Sequence, residues 1–148
     1  MNANWIAVGA VIAGGALTAL QGPTNARLAG ALNSPINAAL VSFLVGTMAL
    51  VLVAATLQVR PDVGAARALP WHSWIGGLYG AVFVAAAAFA TPRLGVASTI
   101  VLMVAGQMAL SLILDHFGFM GVPKQPIDWG RLAGVGLIVC GVLLIRRP

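Results

Sequence analysis

The sequence predicts an all-α integral membrane protein of five transmembrane helices, and three observations carry that prediction. Hydrophobic residues make up 60% of the 148 and charged residues only 7%, against about 25% charged in ordinary soluble domains. The mean hydropathy is +0.98. Apolar segments long enough to approach the roughly 20 residues of a spanning helix recur along the chain, with short polar connections between them. A soluble fold of this length cannot hide so much apolar surface, so lipid must be the solvent.

The first segment runs from about Trp5 to Arg27. It lacks a positively charged leader, so it is expected to be a retained helix rather than a cleaved signal. The connection Ala31-Leu-Asn-Ser-Pro35 turns the chain, with Asn33 or Ser34 as N-cap and Pro35 at the first helical position of the second segment, Ile36 to Leu57. Arg60 to Pro70 is the longest polar stretch, and the third segment follows from Trp74 to Ala90. Thr91-Pro92-Arg93-Leu94-Gly95 is expected to form a tight hairpin into the fourth segment, Val96 to Leu114. Phe117 to Asp128 leads to the fifth, Leu132 to Ile145, which is short but flanked by Trp129 and Arg131 before it and Arg146 and Arg147 after it. Trp5, Trp71 and Trp74 are placed as an aromatic belt. No connection is long enough for a soluble domain, so residues 1–148 are expected to form one membrane unit.

With five spans, Arg60, Arg67, Lys124 and Arg131 fall on one side of the membrane and Arg27, Arg93, Arg146 and Arg147 on the other. Orientation follows the bias in Lys and Arg, and here there is none. Either some of these residues lie within helices, or the same chain inserts both ways and pairs with itself antiparallel. The second arrangement would give a small chain the symmetry that larger transporters obtain from inverted repeats.

The stretch Leu20 to Phe43 interrupts the apolar pattern with Gln21, Gly22, Pro23, Thr24, Asn25 and Arg27. A polar side chain or a broken backbone hydrogen bond in lipid is costly, so these residues are expected to face water, a partner chain or a substrate. Pro23 removes a backbone donor and Gly22 loosens the chain beside it, so a kink or break is expected there, serving either packing or a gate with freed carbonyls. Residues three or four apart share a helix face. Thr18, Gln21 and Asn25 form one polar stripe, and Gln107, Ser111 and Asp115 a second. Gln21, Asn25, Gln107, Ser111 and Asp115 are therefore the candidate substrate-binding residues, although such groups also hydrogen-bond between helices with no transport role. Asp115 with His116 is a candidate for proton coupling, or else a cap for Phe117-Gly118 or a partner of an arginine. Small residues mark close packing: Gly76, Gly77 and Gly80, the run Ala85 to Ala88, and Gly130, Gly134, Gly136 and Gly141. The last set is the candidate dimer seam.

Other function classes find no support. The pattern holds no nucleophile elbow, metal-ligand cluster or phosphate loop, so no catalytic residue, metal or cofactor is expected. No basic cluster with interleaved aromatics speaks for nucleic acid. Cys140 stands alone in an apolar run and reads as a packing residue.

The motifs Leu20-Gln21-Gly22-Pro23-Thr24-Asn25-Ala26-Arg27-Leu28, Ser34-Pro35 and Ser42-Phe43-Leu44-Val45-Gly46-Thr47 resemble the YdcZ-type family of small bacterial membrane proteins. Pro70-Trp71, Gly76-Gly77, Pro92-Arg93-Leu94-Gly95, Gly106-Gln107 and Leu114-Asp115-His116-Phe117-Gly118 extend the resemblance over nearly the whole chain. It implies membership of the drug/metabolite transporter superfamily, whose five-helix units occur singly, as oppositely oriented pairs or fused in tandem. The expectation is a bacterial inner-membrane protein that pairs as an antiparallel homodimer and carries a small molecule of undefined identity. The competing expectation is an accessory membrane protein whose polar residues only join helices.

Overall fold

The computed structural model describes residues 2–145. These residues form α1 (Ala3–Ala31), α2 (Pro35–Thr56), a short α3 (Val63–Arg67), α4 (Gly76–Leu94), α5 (Val96–Phe117) and α6 (Trp129–Ile145). Single 3-10 turns occur at Trp71–Trp74 and Phe119–Gly121, and no strand occurs among the described residues. α1, α2, α4 and α5 are long and apolar enough to cross a membrane. α6 has 17 residues, about 25 Å at 1.5 Å per residue, against a hydrocarbon core about 30 Å thick. The fifth apolar segment is thus a helix, shorter than the other four. Arg146 and Arg147, expected to anchor its far end, lie outside the described residues. Trp5, Trp71, Trp74 and Trp129 are all exposed.

The chain divides into two compact units, Met1–Pro92 and Arg93–Pro148. In the first, α1 and α2 pack along each other across a turn whose chemistry is fully local. Asn33 takes the left-handed conformation, φ +50°. The Ser34 amide donates to the Ala29 carbonyl at 3.0 Å and the Asn33 amide to Gly30, the paired bonds that close a helix C-terminus around a left-handed residue. Ser34 is then the N-cap of α2, its hydroxyl accepting from the Asn37 amide at 3.2 Å, with Pro35 at the first helical position. The same device ends α2, with Gln58 at φ +52° and the Val59 amide bound to the Ala54 carbonyl. Asp62 caps α3 through the Ala65 amide.

The core of this unit is made of small side chains. Ala29 of α1, Ala38 of α2 and Ala88 of α4 form one buried cluster, with Leu28 against it. Methyl-sized side chains let backbones approach, and dispersion at short range replaces the hydrophobic drive that lipid cannot supply. Gly22 and Gly80 serve the same end. A Cβ on Gly22 would stand 3.2 Å from the Thr91 hydroxyl, and one on Gly80 would stand 3.0 Å from the Phe43 ring.

Two expectations about local structure are corrected. α1 is not broken at Pro23: the helix continues through it to Ala31. Proline leaves the carbonyl four residues earlier, that of Ala19, without its amide partner. One position on, the Thr24 hydroxyl donates to the Leu20 carbonyl at 2.8 Å, the kind of side-chain support that lets proline stand in membrane helices. The connection at Thr91 to Gly95 is also narrower than expected. α4 runs through Pro92 to Leu94, and Gly95 alone, at φ +80°, separates it from α5. That backbone angle strains any residue with a side chain.

In the second unit α5 and α6 pack against each other. Gly118 ends α5 in the left-handed conformation, and the Asp128 carboxylate accepts from the Arg131 amide at 2.8 Å to open α6. Gly134, Gly136 and Gly141 meet no atom within 4 Å of where a Cβ would stand; Gly134 and Gly141 share one side of α6 and are half-buried, while Gly136 is exposed on the other. Cys140 on the same helix is exposed.

Candidate functional site

In the first unit a groove of about 210 Å³ is lined by Gln21 of α1, Ser42, Phe43, Gly46, Thr47 and Leu50 of α2, and Val84 of α4. Helical spacing explains the lining. Phe43, Thr47 and Leu50 stand four and three residues apart and so share a face of α2, as Ser42 and Gly46 do on its neighbouring row. Phe43 reaches α4 because position 80 has no side chain. Residues 42–50 straddle the middle of α2, which spans 35–56, and Val84 stands at the middle of α4. The groove therefore falls near the half-depth of both helices.

Gln21 is half-buried on this wall. Its amide has no hydrogen-bond partner among the described residues, and the Thr47 hydroxyl has none either. Thr18, Thr24 and Thr99 instead return their hydroxyls to carbonyls of their own helices at 2.8–2.9 Å. Unspent hydrogen-bonding capacity at half-depth in hydrocarbon is expensive unless water or a ligand meets it. Asn25, one turn further along α1, behaves differently. It is 3% exposed and its amide nitrogen donates to Ser42 Oγ at 3.4 Å. That bond joins α1 to α2 directly behind the groove and leaves the Ser42 proton free to donate.

The two predicted stripes thus fall in different units. In the first, Gln21 lines the groove, Asn25 supports it through Ser42, and Gly22 and Pro23 belong to an unbroken helix. In the second unit the stripe Gln107, Ser111 and Asp115 runs along α5. Gln107 is exposed and has no hydrogen-bond partner among the described residues. Ser111 donates to the Met108 carbonyl at 2.9 Å. Asp115 pairs with Arg131 of α6 at 3.1 Å, the arginine pairing that was one of the roles expected of it. The Asp115 carbonyl also accepts from the Gln125 amide at 2.8 Å, and Arg131 reaches both Gln125 and Asp128. His116 Nδ1 accepts from the Ile127 amide at 3.1 Å. With Nδ1 acting as an acceptor, a neutral ring carries its proton on Nε2. A second proton on Nδ1 would displace the Ile127 bond. Asp115 and His116 therefore clasp the α5–α6 connection. Within the described residues no group of three His, Cys, Asp or Glu side chains is placed to hold a metal ion.

Ser42, Phe43 and Thr47 were not among the candidate ligands from sequence. Two hydroxyls in an otherwise apolar stretch, five residues apart, were the available signal. They stand inside the motif 42–47 on which the family resemblance partly rests.

Four bilayer-length helices, an uncharged half-depth groove and a polar clasp between the last two helices define a polytopic α-helical membrane protein. Residues 6–144 match the family described as "Putative inner membrane exporter, YdcZ", and the chain belongs to that family. It is accordingly a multi-pass protein of the inner membrane, from a family described as inner membrane exporters. It is similar to the inner membrane protein YdcZ of Escherichia coli (strain K12), with 38% identity over 77 residues, 52% of this chain and 51% of that protein. The match spans about half the length of that curated relative. No solved structure matches the chain.

Proposed function

We propose that the chain carries a small molecule across the inner membrane, with the groove of Gln21, Ser42 and Thr47 as part of its path. The observation that carries this reading is the Gln21 amide, unpartnered on the wall of a cavity at half-depth, the level at which many transporters hold their substrates. Membership of an exporter family favours the same reading. In it, α6 is the fifth span, the two compact units act as one membrane unit, and two copies pair antiparallel for alternating access. The distribution of Lys and Arg supports the pairing: Arg27 and Arg131 lie within α1 and α6, and without them three basic residues remain on each side. In the second unit, Gln107 and Ser111 of α5 also serve transport. Asp115 and His116 gate transport at the end of α5, with proton coupling through the release of the Arg131 and Ile127 contacts.

A second reading, an accessory protein that transports nothing, is favoured by the Asn25–Ser42 bond, which joins helices without needing a substrate. Flux through proteoliposomes separates the two. Gln21→Ala should abolish transport while leaving the folded protein and its dimer intact. Unchanged flux in that variant would remove the groove from the path.

A further inference from the structure

Resting on the transport reading, we infer that the groove selects an uncharged, hydrogen-bonding small molecule and excludes organic cations and anions. Its lining contains no charged residue. It offers one amide, which both donates and accepts, two hydroxyls, the face or edge of Phe43, and the aliphatic walls of Leu50 and Val84. This set can satisfy a carbonyl, amide or hydroxyl on one edge of a ligand while apolar surface covers the rest.

The chain also has nothing with which to neutralise a cation there. It has three acidic residues in all. Asp62 caps α3, Asp128 caps α6, and Asp115 is paired with Arg131. A lone phenylalanine is a weak substitute for a carboxylate, since cation recognition by aromatics alone uses a cage of several rings. An anion fares no better. The basic residue of α1, Arg27, is six positions from Gln21, about 240° around the helix and about 9 Å along it, and it does not line the groove. An unpaired charge moved to half-depth would lose its hydration without compensation. The volume of about 210 Å³ is below the range of about 300–1,000 Å³ typical of drug-sized ligands, so the portion of the ligand seated in the groove is small.

The test uses three compounds with one apolar body: N-acetylleucinamide, which is neutral; N-acetylleucine, an anion; and N,N,N-trimethylleucinamide, a permanent cation. Binding is read first, as protection of a Thr47→Cys thiol from alkylation in a Cys140→Ala background. Exchange across proteoliposomes is read second. The neutral compound should slow alkylation in a saturable manner and exchange at least about tenfold faster than either charged one, the margin that an unpaired buried charge sets. Protection by the cation or the anion, equal to or greater than that by the neutral compound, overturns the inference and leaves the transport reading standing. Protection by the neutral compound without exchange of any of the three retains the inference and overturns transport. A thiol that none of the three protects, because an acyl chain or a second copy fills the groove, overturns the inference.

Discussion

The ring of Phe43 occupies the space that a side chain at position 80 would need: its Cζ lies 3.0 Å from where a Gly80 Cβ would stand. The contact makes α4 the third wall of the groove and sets how far Phe43 stands out of it. Gly80→Ala should therefore swing the ring into the cavity it lines. Because the obstructing atom is the far end of a side chain, the stability cost is small, about 1 kcal/mol. Transport should fall severalfold while unfolding in detergent is nearly unchanged. Parental flux in Gly80→Ala would mean that the position of Phe43 does not shape the path.

Asn25 and Ser42 should be energetically coupled. An interhelical hydrogen bond in a membrane protein contributes about 0.6 kcal/mol, and up to about 1.7. Asn25→Ala and Ser42→Ala should each destabilise the protein, and the double variant should lose less than the sum of the two. Strict additivity in this cycle would contradict the bond.

Asp115 and Arg131 hold α5 to α6 at the end of the apolar region. Their side chains are 37% and 29% exposed, so solvent screens the pair and a coupling of about 0.5–1 kcal/mol is expected. A cycle of Asp115→Asn and Arg131→Met, read by unfolding in detergent, checks this. Loss of transport in Asp115→Asn with no loss of stability would give that carboxylate a role in the path beyond the clasp.

If the chain inserts both ways, reporters that work on only one side of the membrane should both give signal from a C-terminal fusion, at comparable strength. Adding two lysines between Arg60 and Arg67 should tip the balance to one reporter, since orientation follows the basic bias. A single strong reporter in the parent would contradict antiparallel pairing of identical chains.

Much of the fold was legible because lipid imposes a simple rule: every apolar run of sufficient length becomes a helix. The turn at Ala31 to Pro35 was legible too, because serine and proline have fixed positional meanings, and geometry only had to assign Asn33 to the end of one helix and Ser34 to the start of the next. Of the kink or break expected at Pro23, the break does not occur, because in lipid the alternative to a helix is an unsatisfied backbone, so the chain stays helical around the defect. α3 was hidden in a five-residue span too short for periodicity to register. The groove was half legible. Gln21 stood out as a costly amide, but its companions Phe43 and Thr47 were set by how α2 faces α4, and that depends on a glycine at 80 whose role a linear pattern does not reveal. Asn25 looked like Gln21 in sequence, and only the nearness of Ser42 separates a bonded amide from an open one.

The central claim is that solvent or substrate reaches Gln21 at half-depth in the membrane. It is tested most directly by alkylating Gln21→Cys, in a Cys140→Ala background and in native membranes, with a small, polar, membrane-impermeant thiol reagent. The exposed Leu44, on α2 outside the groove, serves as the control after Leu44→Cys. The account predicts that the thiol at 21 reacts at least about tenfold faster than the one at 44, because only ionised thiol in contact with water reacts readily. Equal, slow labelling at both positions would contradict it.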